Sequence, residues 1–251
     1  MIELIKDNLK VRIFENRTLM GASVATAVSE KITELLKTQP FVNVIFGAAP
    51  SQNEFFESLI KKDVEWTRVN AFHMDEYINL AADAPQGFGN FLKDRLFGQV
   101  PFHSANYLNG NAENPEIESS RYAALLAKYK TDIVCLGIGE NTHLAFNDPH
   151  VADFNDPLLV KIVDMDEQCR MQQVNDGCFN TIEDVPTHAL TLTIPALLNV
   201  PYAFCTVPSE KKADAIYYTL NEEISAKFPS TKLREHPNAI LFLDEKSSVR
   251  I

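Results

Sequence analysis

The sequence predicts an α/β fold: an open, mainly parallel sheet with helices on both faces. Short apolar runs bounded by glycine, proline or charge read as buried strands, among them FVNVIF at 41–46, IVCL at 133–136, YAFCTV at 202–207 and AILFL at 239–243. Longer stretches with apolar residues at helical spacing lie between them. Strands that alternate with helices build parallel sheets covered on both sides.

Taken in order, Thr18 to Lys37 reads as a helix: Ala22, Val24, Ala25, Val28, Ile32, Leu35 and Leu36 recur between charges, and Pro40 closes it. Phe41 to Phe46 follows as a strand ending at Gly47. Ser51 to Lys62 is the next expected helix, with Ser51 near its cap and Phe55, Phe56, Leu59 and Ile60 facing inward. Val69 to Met74 is a second strand. Phe88 to Leu96 and Pro115 to Tyr129 are expected helices flanking a polar loop at Asn106 to Asn114, and Ile133 to Leu136 is a further strand.

The stretch from Val151 to Val185 is polar, mixed and weakly periodic, with a turn at Asn175, Asp176 and Gly177. Long irregular segments beside a site are often lids. Ala189 to Thr193, Tyr202 to Val207 and Ala239 to Leu243 are strands, with a helix from Ser209 to Leu220 between the last two. There is no internal repeat or linker, so the expectation is a single domain over 1–251 with a lid at about 151–185.

The chain has 251 residues, 45% of them hydrophobic and 23% charged, which suits a globular protein with a sizeable core. A net charge of −11 argues against nucleic acid or an anionic membrane surface as partner. It leaves room for a phosphorylated small molecule, since a few local cations and backbone amides hold one phosphate. No apolar run approaches the roughly 20 residues of a membrane span. The N-terminus scatters charges through MIELIKDNLKVRIFENR and has no signal-peptide core. Of four cysteines none are at CxxC spacing; Cys135 and Cys205 lie in strand-like runs, while Cys169 and Cys178 are the two that could be redox-active. A reduced, cytoplasmic protein is the simplest account. A homo-oligomer is compatible with all of this.

The stretch from Asp132 to Pro149, DIVCLGIGENTHLAFNDP, concentrates the chemistry. A buried strand turns at Gly137 and Gly139 into a loop holding Glu140, Asn141, His143, Asn147 and Asp148. In open α/β sheets ligands bind beyond the carboxyl ends of strands, and a histidine among carboxylates and amides there is a candidate for proton transfer. The alternative is a polar loop whose histidine caps local backbone.

Two other strand ends carry suspicious loops. In GAAPSQ at 47–52, small residues such as Gly47 and Ala48 let backbone approach a ligand, and Ser51 offers a hydroxyl to an anion; a plain capped turn reads the same way. FHMDEY at 72–77 places Asp75 and Glu76 toward opposite sides, so one faces a cleft while the other is solvated or paired. A metal held by these carboxylates and His73 lacks a clear ligand set, and none is expected. SEKKA at 209–213 puts Lys211 and Lys212 at a helix start over the same sheet edge, against the helix dipole unless an anion sits nearby.

In this order the motifs resemble the glucosamine-6-phosphate deaminase/isomerase family. MDEY at 74–77, GxGxxxHxAFNxP at 137–149, ALTLTIPALL at 189–198 and HPxAIxxxDE at 236–245 are similar to its signatures, over about residues 40–245. The resemblance implies a Rossmann-like sheet and no metal or organic cofactor. It implies that Asp75 is the base that shuttles a proton between C2 and C1 of an open-chain aminosugar phosphate. His143 would assist opening of the pyranose ring, with Asp148 and Asn141 as its partners. Gly47, Ala48, Ser51, Glu76 and Gly139 would contact the substrate or its phosphate, as would Lys212, with Lys211 the less favoured lysine.

The family's usual loop reads GxGxDGHxAFNEP; here Asn141 stands for the aspartate, Thr142 for the glycine and Asp148 for the glutamate. Asparagine fixes a histidine tautomer, with the opposite tautomer to the one a carboxylate selects as an open alternative, but cannot stabilise an imidazolium by charge, which leaves that task to Asp148. The family's arginine before a Phe-Phe pair is absent from NDGCF at 175–179, where Gln172 and Gln173 lie close by. These changes keep the reaction class and leave the sugar open between glucosamine- and galactosamine-6-phosphate. A phosphosugar lactonase and a non-catalytic sugar-phosphate sensor are the competing readings.

Overall fold

The computed structural model describes residues 1–251. Its strands are β1 (Ile2–Lys6), β2 (Leu9–Phe14), β3 (Val42–Phe46), β4 (Val69–His73), β5 (Asp75–Tyr77), β6 (Ser104–Asn106), β7 (Ile133–Leu136), β8 (Val160–Asp164), β9 (His188–Leu192), β10 (Tyr202–Val207) and β11 (Ala239–Asp244). Its α-helices are α1 (Arg17–Leu35), α2 (Asn53–Leu59), α3 (Phe88–Leu92), α4 (Pro115–Lys128), α5 (Glu167–Asn175), α6 (Ile194–Leu198) and α7 (Ala213–Asn221). The main sheet has eight strands in the order β1-β2-β11-β10-β7-β3-β4-β6. Every pair in it is parallel except β1 with β2.

The central strands read as unbroken apolar runs because both faces are covered. Alternate residues feed two cores: Val44, Phe46 and Cys135 join α1, α2 and α3 on one side, while Ile45, Val134 and Leu136 join α4, α6 and α7 on the other. From β3 the chain steps outward to β4 and β6. It then returns to β7, on the other side of β3, and continues to β10 and β11. The reversal between β3 and β7 is a topological switch point, where the loops after neighbouring strands diverge and leave a crevice.

Several sequence expectations change. The N-terminal segment, read only for the absence of a signal sequence, forms the β1–β2 hairpin. Ser51 does not cap a helix; it lies inside a 3₁₀ turn, Pro50–Gln52, that leads into α2. The stretch expected to be irregular holds both β8 and α5. Neither shows in the pattern, because β8 is only half-buried and α5 turns glutamines rather than apolar side chains inward. The strand at 189–193 exists, but as β9 in a separate antiparallel sheet, β5-β9-β8. That small sheet is what brings distant motifs together.

Candidate active site

A cavity of about 70 Å³ lies at the switch point. Gly47, Ala48, Ser51 and Gln52 border it after β3, Asp75 after β4, Gly139 and His143 after β7, and Lys212 after β10. Four loops far apart in sequence therefore converge because the parallel strands all end on one edge.

The AFND stretch is docked rather than free. Phe146 N–H donates to Thr191 Oγ1 at 3.0 Å, and the Asn147 amide donates to Leu192 O at 2.7 Å and Leu144 O at 2.9 Å. Thr191 also sits opposite Asp75 in the β5–β9 pair. One strand thus holds both the Asp75 segment and the His143 loop. Phe146 and Phe88 wall the cavity with apolar surface and pack on Tyr77 behind them, the three ring centroids 4.8 to 5.4 Å apart.

His143 lies almost against the backbone of Gly139. Any Cβ at that glycine would overlap the imidazole, so the ring takes the space that a side chain would occupy. Nδ1 is 2.7 Å from Asn141 Oδ1 and 3.0 Å from Asp148 Oδ1. The Asn141 amide orientation is fixed by its other bonds: Oδ1 accepts from His143 N–H at 3.1 Å, and Nδ2 donates to Asp148 Oδ1 at 3.0 Å. Nδ1 therefore faces two acceptors and carries the proton, leaving Nε2 with a lone pair. Asparagine here selects the same tautomer that a carboxylate would.

Asp148 is fully buried. Burial alone would raise its pKa, but bonds from His143, Asn141 and the Asp166 N–H, the last at 2.9 Å, outweigh it and hold the carboxyl below the usual range. It stays ionised beside the imidazole. His143, Asp148 and Cys169 bring three donor atoms within 4.8 Å of one another. Asp148 is already engaged by three N–H groups, and burial pushes the Cys169 thiol well up, so this cluster is bonded as a proton-holding network rather than as an open metal cage.

The MDEY carboxylates part as expected. Asp75 borders the cavity with Oδ1 buried and unpaired, and burial, reinforced by the charge of Glu76, pushes its pKa well above the carboxylate range. Glu76 is a correction: it turns away from the cavity and accepts from Tyr77 N–H and Phe88 N–H at 3.0 Å and Gly89 N–H at 2.8 Å. It anchors the start of α3 and does not face the substrate space. His73 also points away; its Nε2 accepts from Leu108 N–H at 2.7 Å, and burial lowers its pKa to about 3.

Ser51, also on the cavity wall, accepts at Oγ from Gln52 Nε2 at 3.1 Å, leaving its own proton for a ligand. Lys212 is buried and borders the cavity. Lys211 is the second correction: it reaches across the surface to Asn175 O at 2.6 Å. Asn141 and Asp148 stand behind His143 rather than in the cavity wall. Gln172, Gln173 and Asp176 of α5 close the cavity, with Gln172 Oε1 accepting from Glu140 N–H at 2.8 Å. Gln52 and Asp176 were not anticipated as site residues; Asp176 carried only a turn signal in the sequence.

The family model described as glucosamine-6-phosphate isomerases/6-phosphogluconolactonase matches residues 15–242. The chain belongs to that family. Within it, a glucosamine-6-phosphate deaminase of Bacillus cereus is 33% identical over 226 residues, covering 89% of this chain and 84% of the relative. One from an Exiguobacterium species is 34% identical over 193 residues, covering 76% and 74%. Among solved structures a monomeric glucosamine-6-phosphate deaminase superposes with a TM-score of 0.87 at 25% identity over 96% of this chain and 99% of that one. A 6-phosphogluconolactonase from Thermotoga maritima, 18% identical over 94% and 99% of the two chains, shares the fold with a TM-score of 0.76. No helix is long and apolar enough to cross a membrane.

Proposed function

We propose that this family member is an aminosugar-6-phosphate deaminase/isomerase. Asp75, His143 and Lys212 border one cavity, and that juxtaposition carries the reading. His143 Nε2 accepts the anomeric hydroxyl proton as the ring C1–O5 bond breaks, then returns it to O5. Asp75 removes the C2 proton of the open-chain aldehyde, and the electron pair forms C1=C2 while the aldehyde oxygen gains a proton. Delivery of the carbon-bound proton to C1 leaves a C2 imine, to which water adds as ammonia departs, giving the ketose 6-phosphate. A buried carboxylate such as Asp75 is a stronger base than one in water, which suits removal of a weakly acidic C–H. His143 and Asp75 suffice for these transfers without a metal or organic cofactor.

The space present is below the roughly 300–1,000 Å³ of ligand pockets, so substrate entry needs movement. The segment around α5, within 151–185 of a single domain, is the lid. It is tied down by polar contacts, such as Gln172 to Glu140 N–H and Lys211 to Asn175 O, that water can replace. Ammonia release measured over glucosamine- and galactosamine-6-phosphate tests the function and assigns the sugar. Acid release from a phosphosugar lactone, with no ammonia from any aminosugar phosphate, would move the assignment to the lactonase branch.

A further inference from the structure

The phosphate end of the cavity is unusual in its charge. Lys212 is the sole lysine or arginine on the cavity wall, is buried, and has no protein acceptor within bonding reach. Asp176, at the C-terminal end of α5, lines the same small space, with Oδ2 only 3.5 Å from Gln172 Nε2. Glu140 approaches from the glycine-rich loop, its Oε1 buried without a donor. The nearest other cation, Lys211, is exposed and holds Asn175 O at 2.6 Å from outside the cavity wall, and the stretch NDGCF adds no arginine.

We infer that Asp176 is a counter-charge built into the phosphate end of the site: it competes with the substrate's phosphate for Lys212, keeping affinity low and release fast. This rests on the proposed function. A carboxylate on the same small cavity wall as a bound dianion raises the energy of the bound state. Burial lowers the pKa of Lys212, and the fields of Asp176 and Glu140 oppose that shift. Phosphate therefore meets a site that already holds a carboxylate beside its one wall cation, and binding must displace or outweigh that carboxylate.

The test uses the full chain with Asp176→Asn, Asp176→Ser and the charge-conserving Asp176→Glu. Inorganic phosphate binding is read by thermal-shift titration, and KM for glucosamine-6-phosphate by ammonia release. The neutral variants should bind phosphate about tenfold more tightly, with KM falling in parallel. That gain should shrink as salt is raised, because it is electrostatic. Asp176→Glu should match the parent. Unchanged or weaker phosphate binding in both neutral variants overturns the inference, as does a Glu variant that behaves like them. If no protein releases ammonia, the proposed function fails while the phosphate titration still decides the counter-charge.

Discussion

Replacing Asp148 by asparagine should cost far more activity than removing Asn141, although Asn141 lies closer to His143 Nδ1, at 2.7 Å against 3.0 Å. The reason lies in what each side chain touches. Asp148 is buried, with Oδ1 shared by His143 Nδ1 and Asn141 Nδ2, both at 3.0 Å, and Oδ2 taken by Asp166 N–H at 2.9 Å. An asparagine at 148 presents one oxygen and one NH₂ to three donors, so either the imidazole or the Asp166 amide faces another N–H. It also removes the charge that stabilises the imidazolium formed when Nε2 accepts a proton. An oriented general base with its charged partner contributes about 10² to 10⁴ in rate, roughly 3–5 kcal/mol of barrier. Asn141→Ala removes one neutral acceptor from Nδ1 and leaves Asp148 in place, a loss of about 1–1.5 kcal/mol or roughly tenfold. Coupled ammonia-release kinetics across pH would measure both in kcat/KM. Equal losses, or a nearly silent Asp148→Asn with an inactive Asn141→Ala, would refute the argument and make Asn141 a direct contact of the substrate.

Asp75→Asn should bind substrate yet abolish exchange of the C2 proton with solvent; exchange near the parent rate, followed by NMR in D₂O, would end its assignment as the base. Because its folded pKa is raised, the native state is penalised as pH rises through that value, so the variant should gain stability toward alkaline pH by about 1 kcal/mol, a Tm increase of some 2–4 °C. Asp148 has the opposite sign: its lowered pKa contributes stability above the unfolded carboxylate value that is lost as pH falls through the folded one, so Asp148→Asn should flatten the acid limb of the stability curve. Gly139→Ala should reduce kcat/KM about 10²-fold or more by pushing the imidazole off its seat, and near-normal activity would show that the ring has another productive position. Thr142 adopts φ 71°, costly for a β-branched residue, and its buried hydroxyl has no partner. Relief of about 2 kcal/mol of strain, set against about 0.75 for glycine's entropy and about 0.8 for the lost methyl, leaves about 0.5 kcal/mol and predicts that Thr142→Gly raises Tm by about 1–2 °C. A fall in Tm on scanning calorimetry would show that the threonine is relaxed in its site.

Much of this architecture can be read along the chain. Strands buried on both faces, such as IVCL and YAFCTV, announce themselves as apolar runs, and β7 and β10 lie where those runs lie. Asp75, His143, Ser51 and Lys212 were legible because a strand end followed by small or functional residues is a local pattern that repeats at each crossing of the sheet. Side-chain direction was less legible. Glu76 and Lys211 each neighbour a cavity residue in sequence, yet one turns to the α3 amides and the other to the α5 carbonyl at Asn175, because successive residues on a strand or turn face different ways. α5 escaped the periodicity test because its buried face is polar, made of Gln172 and Gln173 over a polar cavity rather than a hydrocarbon core. Only the folded chain decided the proton on His143, through the pinned amide of Asn141, and only it set Asp176 beside Lys212 from across 36 positions of chain. Sequence determines which residues are buried and which chemistry is on hand, since burial and propensity are local. Contact between charges, and hence their protonation and affinity, depends on distances that exist only once the sheet has closed over its two cores.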